Sequence, residues 1–205
     1  MPTGAKEASL NGRATNGRGG NTAVKVQISV VEATSDRLGV QYTVVNTAGH
    51  KIYLFNRLFI TDMKGQRTLD PNRVYAEING TTLHLAKQLV EIPPGMLVEY
   101  PVVPYLNRLD PGESFKETLT LALPIRENQP YMSVPFGATE REVMCDELVF
   151  TIGYFVAREP DWVREVEVGD ETALSTDYGY AIQTHRTASS QPVAVRSQCL
   201  VTSPA

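Results

Sequence analysis

Apolar and polar side chains alternate with a period of two along most of this chain, and that habit restricts the fold more than any motif does. In "VKVQISVVE" (24–32) and "RLGVQYTVVN" (37–46) the alternation gathers Leu38, Val40, Tyr42 and Val44 on one face. Successive residues of a strand point to opposite sides of a sheet, so such a segment buries one face and wets the other. Helical periodicity is scarce. The two segments predict an opening antiparallel pair, and "HKIYLFNRLFI" (50–60) follows after a turn at 46–49. Strands joined in sequence by short links predict a meander or the start of a sandwich.

Further along, "RVYAEINGTTLHLA" (73–86) places Asn79-Gly80 between alternating apolar residues. A type I′ turn needs positive φ at both central positions, which Asn and Gly adopt at little cost. A two-residue turn there would pair Ile78 with Thr81, Ala76 with Leu83 and Val74 with Leu85, and bring Tyr75 to His84. The proline-dense stretch around "LVEYPVV" reads as an edge strand or extended loop, because proline cannot donate to a ladder. Strands are predicted at 114–123, at 147–157, where "ELVFTIGYFVA" is apolar on both parities as in a strand covered on both sides, and at 191–201. The stretches 126–143 and 158–185 are too long for ordinary connections and are either functional or hold minor structure. A short helix within "TEREVMCDEL" is one such possibility. The expectation is an all-β, antiparallel β-sandwich with two long loops, organised as a flexible tail over 1–22 and a single β-sandwich domain over 23–205.

A chain of 205 residues with 42% hydrophobic residues supports one good core and is short for two. The formal charge of -4 offers no basic surplus for tracking phosphates, so no nucleic-acid partner is expected. No apolar run reaches the roughly 18 residues of a membrane span. Residues 1–22 lack the apolar centre of a secretory signal, which makes the expected location cytoplasmic, or periplasmic or secreted if a signal has been removed. The same 22 residues are rich in Gly, Asn, Thr and Ala and cannot bury enough apolar area to offset ordering. They lack the repeated arginine-glycine units and aromatics of an RNA-binding tail.

The densest set of reactive side chains is "LDPGESFKETLTLALPI" (109–125). From Ser114 onward Phe115, Glu117, Leu119, Leu121 and Leu123 share one parity, the pattern of a half-buried strand. Asp110-Pro111-Gly112 supplies a turn ahead of it, with Pro fixing φ and Gly tolerating positive φ. A catalytic carboxylate pair needs an apolar pocket or a partner charge to separate its two pKa values, and Ser114 has neither a nearby histidine nor a Gly-x-Ser-x-Gly elbow. Asp110 and Glu113 are therefore read as solvated turn residues.

"L-x-V-x-Y-x-V-x-N" at 38–46, followed by "L-x-P-G-E-S-F" at 109–115 ahead of an alternating strand, resembles bacterial immunoglobulin-like sandwich modules. A similar arrangement occurs in the BsuPI-type intracellular proteinase inhibitors. The resemblance implies an immunoglobulin-like sandwich and carries over no functional residue. The antibody-type Cys…Trp…Cys spacing is absent, since Trp162 follows Cys145.

The three histidines, His50, His84 and His185, show no His-x-His or His-Glu-x-x-His spacing, and no Asp-x-Asp-x-Asp-Gly loop or phosphate-binding glycine motif occurs. No metal or cofactor is expected. Cys145 and Cys199 form no Cys-x-x-Cys unit; a buried free thiol and a long-range disulfide both stay open. The aromatics of the two irregular stretches remain: Tyr131 and Phe136 in the first, Trp162, Tyr178 and Tyr180 in the second. Loops on a rigid sandwich commonly carry recognition. The expected function is a non-catalytic binding module that recognises a protein partner, or its own copy, through these residues. A proteinase-inhibitor-like module and an enzyme with a site assembled from distant residues are the alternatives. Capping of the core by the same aromatics is the competing role for them.

Overall fold

A computed structural model describes residues 23–132, 137–158 and 162–203; the tail at 1–22 lies outside the described residues. Strands run in the order β1 (Val24–Ala33), β2 (Arg37–Asn46), β3 (Ile52–Arg57), β4 (Phe59–Thr61), β5 (Arg67–Leu69), β6 (Tyr75–Asn79), β7 (Thr82–Lys87), β8 (Tyr105–Leu109), β9 (Ser114–Ala122), β10 (Ile125–Arg126), β11 (Thr139–Val156), β12 (Val163–Val168) and β13 (Glu171–Thr176). Helix α1 (Tyr178–Thr184) then precedes β14 (Arg186–Ser189) and β15 (Val193–Ser203). Among the described residues no helix is long and apolar enough to cross a membrane.

The fold is an all-β sandwich. One layer is the three-stranded sheet β1-β2-β9; the other is a larger sheet ordered β10-β15-β11-β3-β8-β13-β12, with β7 also on β11 and β6 on β7. The main core lies between them, where Leu38, Val40, Tyr42, Val44, Leu119 and Leu121 meet Ile52, Leu54, Leu83, Leu85, Phe150 and Ile152. Tyr42 and Phe150 stack across the layers with ring centroids 4.2 Å apart. β2 begins and ends where the alternation placed it, and β9 pairs with it from Val45↔Ser114 to Arg37↔Ala122.

β11 explains why its sequence is apolar on both parities. Leu148, Phe150 and Ile152 face the main core, while Phe155, with Tyr53 and Phe55 of β3, faces the opposite side under Ala181 of α1. A strand buried on both sides has no polar face to offer.

Several expectations need correction. "TEREVMCDEL" is not helical. It is the first half of β11, paired with β15 from Thr139↔Ser203 to Leu148↔Val193, and this long-range ladder overrides local helix propensity. The hairpin register is displaced by two: Asn79 pairs with Thr82, Ile78 with Leu83 and Glu77 with His84, while Tyr75 meets Ala86. The turn residues are Gly80-Thr81, with φ 63° at Gly80 and no positive φ at Thr81, the sign pattern of type II′ rather than I′. A shift of two preserves the faces, so Ala76, Ile78, Leu83 and Leu85 still point inward. The sandwich is not purely antiparallel, since β7 lies parallel to β11 and β10 to β15. The chain between Lys87 and Thr139 is long enough for the crossover that a parallel pair needs.

Neither long stretch is a plain loop. The first contributes β10 and the start of β11, and the second the β12–β13 hairpin and α1. Asp177 caps α1 by accepting from the Gly179 and Tyr180 N–H groups. Cys145 and Cys199 are free, fully buried thiols on neighbouring strands, and burial raises both above the usual thiol range.

Candidate functional site

Of the residues singled out in the sequence, Trp162, Tyr178 and Tyr180 gather around α1, and Tyr131 braces the same loop as Tyr178. Tyr178 and Tyr180 stand on α1 and pack against Tyr53, Phe55 and Phe155, so part of each covers the outer face of the larger sheet. Tyr180 meets Phe155 edge-on at 5.6 Å and lies 6.5 Å from the ring of Trp162, which is 60% exposed. Tyr131, with φ 68°, accepts a hydrogen bond from the Val102 N–H at 2.7 Å through its hydroxyl; the Tyr178 hydroxyl accepts one from the Ile92 N–H at 3.3 Å. Phe136 lies outside the described residues.

Those two phenols hold the ends of one segment, 92–102. Inside it a turn closes from the Met96 N–H to the Pro93 carbonyl, and Leu97 and Tyr100 stand 99% and 72% exposed. The proline-rich piece is therefore an extended loop, not an edge strand. Its exposed apolar side chains went unread because proline density says only where a ladder is impossible.

A second group of residues was missed altogether. On several strands a polar residue breaks into the inward-facing row: Asn56 follows Leu54 on β3, Lys87 follows Leu85 on β7, Glu117 lies between Phe115 and Leu119 on β9, and Asn107 lies between Tyr105 and Leu109 on β8. Lys87 is fully buried, and its Nζ donates to Glu117 Oε2 at 2.6 Å and to the Pro71 carbonyl at 2.7 Å. The Tyr42 hydroxyl donates to the same Oε2 at 2.5 Å. Burial pulls the Lys87 ammonium below its ordinary pKa against the opposing pull of Glu117, while burial and the Glu117 charge together hold the Tyr42 phenol protonated. Asn56 is 1% exposed and stands beside the Tyr42 hydroxyl, yet neither Nδ2 nor Oδ1 makes a hydrogen bond of good geometry. Asn56, Asn107 and Glu117 line a pocket of about 340 Å³ whose walls include Phe115, Leu58 and Pro71. The signal was present in the sequence, because Glu117 shares its parity with Phe115, Leu119 and Leu121.

The Asp110–Glu113 turn is a hinge between strands. Gly112 has φ 80°, Glu113 Oε2 accepts from the Asp110 N–H, and Asp110 is paired with Arg108 at 2.7 Å. The turn is tied back to fully buried Asn46, whose carbonyl accepts from the Gly112 N–H and whose Nδ2 donates to the Leu109 carbonyl. The two motifs at 38–46 and 109–115 thus meet in space through a hydrogen-bonded joint.

His50 is exposed and His84 sits opposite Glu77. His185 caps the end of α1; its Nε2 is buried without a partner, and burial lowers its pKa to about 4. Among the described residues no group of three or more His, Cys, Asp or Glu side chains is placed to share a metal ion. No protein-family model matches the chain, and no curated protein or solved structure is detectably similar to it.

Proposed function

We propose that the protein is a non-catalytic, immunoglobulin-like binding module that recognises a protein partner through the 93–101 loop and through Trp162, which stands beside Tyr180 of α1. The observation that carries this reading is the bracing of the loop. Tyr131 and Tyr178 anchor its two ends, and Leu97 and Tyr100 project from it into solvent with Met96 beside them. Exposed apolar side chains on a pre-ordered loop lose little entropy on binding, and large aromatic anchors dominate interface energetics. Tyr178 and Tyr180 then serve recognition indirectly, by fixing the loop and Trp162 over the sheet.

The test is a photo-crosslinking amino acid at position 97 in the native host, followed by affinity measurement against the protein it captures. Tyr100→Ala and Trp162→Ala should each weaken that complex by about 2 kcal/mol, roughly 30-fold, with an unchanged melting temperature. Sedimentation of the isolated protein identifies the case in which the partner is a second copy. Capture that is indifferent to both substitutions would remove the loop from the interface.

A proteinase-inhibitor-like reading is favoured by the same loop, because Leu97 is fully presented between Pro93-Pro94 and Pro101. An exposed leucine on a loop braced at both ends is what a serine proteinase of apolar preference accepts. Tight inhibition of such an enzyme, lost in Leu97→Asp, supports it; rapid cleavage after Leu97 without inhibition excludes it.

A further inference from the structure

We infer that the pocket at the polar end of the sandwich binds a neutral, hydroxyl-rich small molecule of monosaccharide size. The inference is independent of the 93–101 loop and begins with the placement of charge and amide inside a core. Burying an ion pair rarely improves stability over apolar residues of the same volume, and a buried amide without partners costs free energy outright. Yet the inward rows of β3 and β7 turn polar at one level, Glu117 of β9 meets them from the opposite sheet, and Asn107 of β8 stands opposite Leu54 beside them. A packing requirement gives no reason for that coincidence, whereas a ligand that needs those groups does.

The hydrogen-bond inventory specifies the ligand. Glu117 Oε2 is saturated by Lys87 and Tyr42, which leaves Oε1 as an acceptor without a partner among the described residues. The buried Asn56 amide offers two donor hydrogens and an acceptor oxygen, none of them engaged in good geometry, and it lines the pocket. The Asn107 side chain lines it too and makes no hydrogen bond among the described residues. Adjacent donor and acceptor groups match vicinal hydroxyls, each of which both donates and accepts.

Charge disfavours an anion. Lys87 is matched by Glu117, and Arg57, also in the wall, is matched by Glu171 at 2.6 Å. The remaining charged group is Asp70, whose Oδ1 accepts from the Asn72 N–H. No unpaired cation faces a phosphate or carboxylate, and Lys87 behind Glu117 disfavours an ammonium. The half-buried Phe115 ring and Pro71 supply an apolar surface for the C–H face of a sugar. A volume of about 340 Å³ lies at the small end of the range for ligand pockets and accommodates one ring.

The experiment follows the side-chain amide resonances of the ¹⁵N-labelled protein during titration with D-glucose, D-galactose, D-mannose, N-acetyl-D-glucosamine and myo-inositol. At least one of these should shift the Asn56 and Asn107 amide signals saturably and raise the melting temperature. Asn56→Leu, close in volume, should abolish both effects, and Asn107→Ala, at a half-buried position that tolerates truncation, should weaken binding about tenfold or more. Two outcomes overturn the assignment. In the first, no neutral probe shifts these signals saturably, or only lysine or citrate does. In the second, sugar-induced shifts survive both substitutions.

Discussion

Glu113 and Glu117 stand four residues apart on the same stretch of chain, and their surroundings have nothing in common. Glu113 belongs to a surface turn, where it accepts the Asp110 N–H and remains in water. Glu117, one strand turn further on, points between the sheets and holds a fully buried lysine and a buried phenol on one oxygen. The difference is parity and depth, not residue type. A carboxylate beside a proline-glycine turn completes local backbone hydrogen bonding; a carboxylate on the apolar parity of a strand has to be matched from another strand. Only the second arrangement consumes stability to keep polar groups in place, and it is the one with a pocket against it.

That contrast can be broken most severely at the buried pair. Glu117→Gln leaves the Lys87 ammonium without its counter-charge and should cost about 3 kcal/mol in urea unfolding, while Lys87→Met combined with Glu117→Leu should recover most of the loss. A cost under about 1 kcal/mol for the single change would mean that the pair is solvated in solution.

A buried imidazole shows what burial alone does to a charged form. His185 titrates near 4 in the folded protein against an ordinary 6.5, because burial disfavours its charged form. The unfolded chain therefore takes up the proton first as pH falls. Stability contributed by this group is complete above about pH 6.5 and declines toward pH 4, by on the order of 2–3 kcal/mol. His185→Gln should remove that part of the slope. An unchanged slope in His185→Gln would show that the imidazole is hydrated.

Smaller effects belong to the turn. Gly112→Val forces a β-branched residue into φ 80° and should cost roughly 1 kcal/mol or more by thermal melting. Asp110→Ala, at an exposed ion pair, should be indistinguishable from wild type in both stability and partner binding. Loss of binding with folding intact would give the turn the role that its parity denies it.

The difference between these regions also marks what was legible in the sequence. Leu38, Val40, Tyr42 and Val44 define β2 completely because alternation is a local property, and the 109–115 turn is legible because Pro111 and Gly112 fix its backbone directly. The hairpin at 79–82 was recognised with its register off by two, since Asn-Gly and Gly-Thr turns differ in which residue stays extended and Asn79 permits either. β8 was missed because "YLNRL" is short and its identity as a strand comes from pairing with β3. The beginning of β11 carries charge on both parities and gains its structure from β15, far along the chain. The polar cluster lay half in view, with Glu117 among leucines, but its partner Lys87 is on another strand and Asn56 on a third. No local window contains all three.

The same β11 sets a clock. Tyr154 on this strand pairs with Leu54, a separation of 154 − 54 = 100 positions, and neighbouring stretches of β11 pair with β7 and β15. Each of these ladders requires a long loop to close before any contact rewards it, so the protein should fold in milliseconds to seconds rather than microseconds. Until β11 is seated, the apolar faces of β2, β3 and β7 have no common partner. The interval during which this protein is most exposed to aggregation is thus decided by the arrival of a single strand.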